Sequence, residues 1–294
     1  PRLLSCAGAD HPRVHYLRTM AQVEALRAWF FPGKRVVLVG GGYIGLEIAA
    51  VAARMGLAVT VVEAAPNVLS RVTCTEVASF FERVHRRAGV KILCDAAVEA
   101  IEDDHGAAVV VASDGRRVHA DLVVAGIGLI PNTALAESAG LACDNGILVD
   151  ENCCTSVASV FAAGDCTRHP SELYGRSLRL ESVHNAIEQG KTAAASICGV
   201  SRPYRQVPWF WSDQYDLKLQ TAGICQGYDR VVMRGDPETG SFAAIYLKDD
   251  RVLAVDAINR PAEFSVGKSL VHARAKIAPE RLADDSAPLK ALLA

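Results

Sequence analysis

The stretch Val39-Gly40-Gly41-Gly42-Tyr43-Ile44-Gly45-Leu46-Glu47 decides how this chain folds. Its glycines fall at the spacing Gly40-x-Gly42-x-x-Gly45, and each has a physical task. Gly40 permits a tight turn, Gly42 removes the side chain that would block an approaching diphosphate, and Gly45 lets a helix lie close to a strand. Upstream, Arg35–Val39 enters the glycines as a short buried strand. Downstream, Ile44, Ile48, Val51 and Met55 recur at helical spacing as the apolar stripe of a helix that Gly56 closes. Residues 57–63 form a second strand. Strand, glycine turn, helix and strand make a right-handed crossover in a parallel sheet, with the helix amides facing a diphosphate. Glu63, at the end of the second strand, stands where this arrangement meets an adenosine ribose. A carboxylate accepts hydrogen bonds from both ribose hydroxyls and repels a 2′-phosphate, which favours NADH over NADPH. Arg71, within reach of a phosphate, softens that preference.

Half of the 294 residues are apolar and the net charge is -2, so the chain is long enough and greasy enough for roughly two packed domains. No long basic run points to nucleic acid or an anionic membrane, and no apolar window reaches the ~18 residues of a membrane span. A cytoplasmic protein is expected. The nine cysteines include no C-x-x-C and no regular spacing, which excludes a disulfide framework, a zinc ribbon and a local dithiol, and no metal site is expected. Cys153 and Cys154, neighbours on an extended segment, point to opposite faces and receive no role. The opening residues PRLLSCAGAD have the pattern of neither a signal nor a transit peptide.

Further helices are predicted over 20–29, 75–88 and 181–198, and a strand in "GVKILC". Between 96 and 120 the rhythm changes to short β segments separated by His105-Gly106 and Asp114-Gly115, a meander of antiparallel strands. Residues 121–126 return to a buried apolar strand. Residues 159–163 are predicted as a strand stopped by Gly164, and the segments "AAIYL" and "RVLAVDAI" beyond Pro208 announce a separate α+β unit. Gly164 would let a cofactor approach the backbone and Asp165 would accept hydrogen bonds from a sugar-like hydroxyl, although the pair alone equally fits an ordinary strand-ending turn.

That Gly-Asp pattern, "VAGIGLIPNT" (124–133), "ESVHNAIEQGKTAA" (181–194) and "VPWFWSDQYDLKLQTAG" (207–223) together resemble the ferredoxin-reductase branch of the glutathione-reductase-like FAD- and NAD-dependent oxidoreductases. The resemblance runs over essentially the whole chain and is most specific in Trp-Phe-Trp-Ser-Asp-Gln. It implies an α/β fold in four parts: residues 1–9 as the end of an N-terminal FAD part, 10–126 as a Rossmann-like NAD domain with a β-meander crossover, 127–204 as part of a second Rossmann-like FAD domain, and 205–294 as a small α+β domain. It implies FAD and NAD as cofactors. Tyr43 and Ile44 join the three glycines at the NAD cradle, Gly126 and Gly128 lie under the nicotinamide, Asp165 meets the ribityl chain, and Glu181, Ser182 and Val183 hold the flavin from the other side. Trp211 lies beside the flavin and nicotinamide rings, and Glu47 stands at the nicotinamide end, the two making the catalytic pair. Read from the residues alone, Glu47 is a first-turn acid that complements the helix macrodipole, and His184 is a packed or solvated histidine rather than an acid or base.

The implied activity is NADH-dependent reduction of FAD followed by single-electron delivery to a [2Fe-2S] ferredoxin of a cytochrome P450 or dioxygenase system. Rubredoxin, nitrite or oxygen reduction are rival activities, and an NADH-binding module without catalysis is a rival of another class. The family places a strand-glycine-helix unit for the ADP half of FAD ahead of the first residue seen here, so a truncated chain with half a flavin pocket is expected. No His-x-x-x-x-Glu follows Pro261, which argues for electron export to a protein rather than for disulfide reduction. Arg251, Arg260, Lys268, Arg274 and Lys276 are interleaved with Asp249, Asp250, Asp256 and Glu263, a solvated mixed face.

Overall fold

The computed structural model describes residues 1–293. The chain divides into two compact units, Pro1–Leu129 with Ser212–Lys218, and Ile130–Trp211 with Leu219 onward.

The first unit runs β1 (Val14–Tyr16), α1 (Met20–Arg27), β2 (Arg35–Val39), α2 (Tyr43–Arg54), β3 (Ala58–Val62), α3 (Thr75–Arg87), β4 (Lys91–Leu93), β5 (Val98–Asp104), β6 (Ala107–Ala112), β7 (Arg117–Ala120) and β8 (Leu122–Ala125). Five strands form a sheet in the order β1-β8-β2-β3-β4, every neighbouring pair parallel. Val36–Val39 of β2 and all of β8 are buried, as a parallel sheet covered on both faces requires. The antiparallel β5-β6-β7 meander is inserted between β4 and β8. His105 at φ 52° and Gly106 at φ 84° form the left-handed two-residue turn that matches the twist of β5 and β6.

Helix α2 forms where the sequence predicts it but presents a different face. Gly45, Leu46, Ala49, Ala50 and Ala52 are buried, while Ile44, Val51 and Met55 are 47, 52 and 42 % exposed. The close approach at Gly45 favours small side chains, so Gly45, three alanines and Leu46 take the inner face, while Ile44, Val51 and Met55 of the predicted stripe turn outward and Ile48 is half-buried.

The second unit holds α4 (Ala134–Ser138), β9 (Ile147–Leu148), β10 (Thr167–Ser171), β11 (Arg176–Leu178) and α5 (Val183–Ile197), the strands ordered β11-β10-β9. Residues 159–163 are not a strand: one isolated bridge joins Phe161 to Cys154. The Thr155 amide donates to the Val160 carbonyl and the Thr155 hydroxyl lies 2.9 Å from that same oxygen, closing a tight loop that uses up the bonds a ladder needs.

The chain continues with β12 (Trp209–Gln214), β13 (Leu217–Gly223), β14 (Arg230–Asp236), β15 (Ser241–Lys248), β16 (Arg251–Ile258), α6 (Pro261–His272) and α7 (Pro279–Ala283), with sheet order β12-β13-β16-β15-β14. Gly267 lets α6 lie on β16, since a Cβ there would stand 3.0 Å from Val255. Arg234 is 1 % exposed. Its guanidinium donates to the carbonyls of Leu282, Asp284 and Ala287 and faces Glu263 and Asp285 at 3.7 and 3.5 Å, tying the C-terminal segment to β14. Among the described residues, no helix is long and apolar enough to cross a membrane.

Candidate functional site

The glycine turn between β2 and α2 is built from backbone approaches that leave no room for side chains. A Cβ on Gly45 would stand 2.0 Å from the Gly40 carbonyl oxygen, and one on Gly40, at φ 105°, 2.6 Å from the Gly126 oxygen. Around Gly42 nothing lies within 4 Å of the corresponding position. Gly42 is also the N-cap of α2 and makes no side-chain capping bond. The helix therefore opens without a side-chain cap and beside free space, a setting suited to an anion at a helix N-terminus. Tyr43 is the half-buried first residue of α2, and Ile44 follows it on the outside.

Glu63 braces this turn. Its Oε2 accepts the Gly41 amide at 2.6 Å and its Oε1 the Ala65 amide at 2.8 Å, and each oxygen keeps a second lone pair for a ligand hydroxyl. A cleft of about 730 Å³ is lined by Gly40, Gly42, Glu63, Arg71 and Gly126, a size suited to a cofactor. Gly126 hangs on β2 through its amide, which donates to Val39 O at 2.8 Å, and the Gly128 carbonyl, on a backbone at φ 104°, accepts the Arg2 amide at 2.8 Å. The cradle, its acidic brace and the two later glycines thus fit a dinucleotide within one unit.

Glu47 lies beyond the first turn of α2, which holds no acidic residue, so the macrodipole reading fails. Its carboxylate is half-buried, and Oε1 accepts the Ser212 hydroxyl at 2.6 Å. Burial raises its pKa, the Ser212 bond works against that, and the nearby Asp213 charge adds to it.

In the second unit Gly164 takes φ 89° and donates its amide to Gln189 Oε1 at 2.7 Å. Thr167 Oγ1 lies 2.8 Å from both the Gly164 oxygen and Gln189 Oε1, and Gln189 Nε2 lies 2.9 Å from His169 Nδ1. Gln189, fully buried on α5, therefore pins the Gly164-Asp165 turn to the helix. Sequence reasoning missed it; the available signal was an amide side chain set among the small residues of a helix. Arg179 Nη1 reaches the Asp165 carbonyl at 3.5 Å and Glu181 Oε1 at 2.5 Å, so Glu181 enters as an ion-paired, exposed acid. Ser182 caps α5, accepting the Asn185 amide at 3.2 Å, and Val183 stands exposed at the helix start. A left-handed glycine turn and a capped helix N-terminus with an open apolar residue fit one end of a flavin nucleotide.

Trp211 is 42 % exposed and packs 5.8 Å from Trp209, which also meets His184 at 5.3 Å and Phe264 at 5.4 Å. His184 is a packed histidine whose pKa burial lowers. Burial pushes the Cys153 thiol up to about 11, so it is no nucleophile at neutral pH. Lys276 pairs with Asp250 at 3.6 Å and Arg260 with Glu263 at 3.3 Å, but Asp256 does not belong to a solvated face: it is fully buried and accepts the Thr221 hydroxyl at 2.7 Å and the Tyr246 hydroxyl at 2.5 Å.

The buried His169 ring has its pKa pushed down to about 4. A depressed folded-state value means that the stability from keeping this ring neutral is complete above the ordinary histidine value near 6.5 and is lost as pH falls toward about 4. Up to about 3 kcal/mol is at stake. Melting curves between pH 7 and 4 are expected to show the loss, and His169→Gln to flatten it; identical slopes would refute the assignment.

A parallel sheet with a glycine cradle and acidic brace, a meander crossover and a second glycine turn against a capped helix define a nucleotide-dependent oxidoreductase. Residues 1–190 match the family model described as pyridine nucleotide-disulphide oxidoreductase, and 209–293 match the one described as reductase C-terminal. The chain belongs to this family, whose members are FAD-dependent and use NAD(P). It is similar to putidaredoxin reductase of Pseudomonas putida, 46 % identical over 95 % of this chain and 67 % of that protein. It is also similar to the ferredoxin reductase subunit of 5,5′-dehydrodivanillate O-demethylase from Sphingobium, 44 % identical over 100 % of this chain and 72 % of that one. Among solved structures, the reductase of the covalent putidaredoxin reductase-putidaredoxin complex superposes with a TM-score of 0.95 at 44 % identity, covering 100 % of this chain and 72 % of that one.

Proposed function

We propose that the protein is an NADH-dependent flavoprotein reductase that passes a hydride from NADH to FAD and single electrons onward to a [2Fe-2S] ferredoxin of a cytochrome P450 or dioxygenase system. The observation that carries the reading is the free space at Gly42, beside the uncapped start of α2 and in the cleft that Glu63 also lines. The diphosphate rests on those amides, the ribose hydroxyls on Glu63, and Gly126 and Gly128 leave the backbone bare under the nicotinamide. Bound FAD supplies the chemistry that joins a two-electron donor to a one-electron acceptor. On the protein side, Asp165, Glu181, Ser182 and Val183 hold it, while Glu47 and Trp211 set the approach of the nicotinamide, where small misplacements cost rate steeply. A relative named as a ferredoxin reductase subunit, and a putidaredoxin reductase structurally trapped with putidaredoxin, support the partner class. The same reading divides the chain at 9/10, 126/127 and 204/205 and places it in the cytoplasm.

Glu63→Ala is expected to raise the KM for NADH about tenfold, the worth of one charge-assisted hydrogen bond, with less effect on flavin retention. It also narrows the preference over NADPH, because the repelling charge is gone. Steady-state kinetics with both nucleotides checks this, and unchanged nucleotide kinetics would remove Glu63 from the site. Cytochrome reduction that depends on added ferredoxin tests the partner.

A further inference from the structure

In the first unit a row of hydrogen bonds runs from Glu47 on α2 through the Ser212–Lys218 segment to α3. Ser212 Oγ donates to Glu47 Oε1 at 2.6 Å and Gln214 Nε2 donates to Ser212 Oγ at 3.1 Å. Gln214 Oε1 lies 2.9 Å from His85 Nε2, and His85 Nδ1 lies 3.1 Å from the Tyr215 hydroxyl. Ser212, Gln214 and His85 are 1, 0 and 0 % exposed. Polar side chains buried in succession are costly unless every member is satisfied, and apolar residues of the same shape hold a hairpin as well or better. Packing does not explain the row; the carboxylate at its end does.

Counting hydrogens fixes the direction. Ser212 has one hydroxyl hydrogen and gives it to Glu47, so its oxygen accepts from the Gln214 amide. That turns the Gln214 carbonyl toward His85, which must carry its ring hydrogen on Nε2 and offer a bare Nδ1 to the Tyr215 hydroxyl. Burial lowers the His85 pKa, in keeping with the neutral ring this requires. Every donor points toward Glu47.

We propose that Ser212, Gln214 and His85 are positioning residues that fix Glu47 Oε1 and hold the side chain as a carboxylate beside the nicotinamide. The proposal rests on the reading of Glu47 given above. Asp213, next to Ser212, is the charged group that opposes ionisation of Glu47 from the hairpin, and Arg54 stands over the far end of the row, 5.7 Å from the Tyr215 ring.

The test is a carboxyl-carbon NMR titration of the full chain, with the Glu47 signal assigned by its loss in Glu47→Gln. His85→Leu leaves Gln214 Oε1 without its donor and is expected to raise the Glu47 midpoint by about one pH unit, the shift that follows loss of one supporting hydrogen bond. His85→Gln, whose amide nitrogen replaces Nε2–H, is expected to restore the midpoint. An unchanged midpoint in His85→Leu overturns the proposal. Should that variant not fold, nitrogen NMR of the wild-type imidazole at pH 7.5 decides: an Nε2–H ring supports the row and an Nδ1–H ring refutes it. NADH oxidation by Glu47→Gln separates the two readings. Slowing by tenfold or more supports both, whereas wild-type rates alongside the shifted midpoints keep the row and remove Glu47 from the reaction.

Discussion

Gly42→Ala is expected, on the proposed function, to weaken NADH binding about 100-fold, close to 3 kcal/mol, while the melting temperature moves by no more than about 3 °C. The added methyl meets no protein atom within 4 Å, so the native packing accepts it, at the modest cost of placing alanine at an N-cap. In the proposed site what it meets is the ligand: the diphosphate would no longer reach the α2 amides, and more than one charge-assisted hydrogen bond would be lost. Gly45→Ala gives the opposite balance. Its methyl would stand 2.0 Å from the Gly40 carbonyl oxygen, so α2 must lift from β2, and a loss of about 1–3 kcal/mol in stability accompanies the loss of binding. NADH fluorescence titration together with thermal denaturation of both variants distinguishes them. Wild-type NADH affinity in Gly42→Ala would place the diphosphate elsewhere.

Arg234→Met destabilises the C-terminal sheet by about 3–5 kcal/mol. The substitution keeps the volume of the stem but strands the carbonyls of Leu282, Asp284 and Ala287 and the carboxylates of Glu263 and Asp285, all of which face the guanidinium. Removing one member of a buried charged cluster costs more than the cluster contributes as a whole, because the partners stay behind without compensation. Urea unfolding measures the effect, and a change below about 1 kcal/mol would show that water or a side-chain rearrangement replaces the guanidinium. NADH binding, proposed for residues of the first unit, is expected to persist in this variant.

The parts of the molecule written in short-range pattern were legible. Strand β2, the glycine turn, both ends of α2 and α3, and the meander with its His105-Gly106 turn follow from local periodicity and turn chemistry, because the residues that define each element are neighbours in the chain. The outward turn of Ile44, Val51 and Met55 was not legible: periodicity identifies a helix but not which of two stripes a close-packed partner selects. Residues 159–163 carry strand-forming side chains, and a threonine-closed loop takes up their backbone groups instead. At the candidate site, the cradle glycines and Glu63 announced themselves by spacing. Ser212, Gln214 and His85 did not, because their meaning lies in one another: His85 and Gln214 are buried partners 129 residues apart in the chain. Glu63 was read for the ribose alone, and its brace on Gly41 emerges only when the loop is folded back on the strand.

The meander delays completion of the parallel sheet. Strand β2 finds β3 almost at once, but its other edge waits for β8, and β1 has no partner until residues 122–125 arrive. A nascent chain that has not yet emitted those residues carries an open, valine-rich edge, the kind of surface on which strands of other chains add themselves. Early translational pausing before Leu122 would therefore expose this protein to misassembly at a stage when the glycine turn of residues 40–45 is written but Gly126, which closes the same cleft, is not.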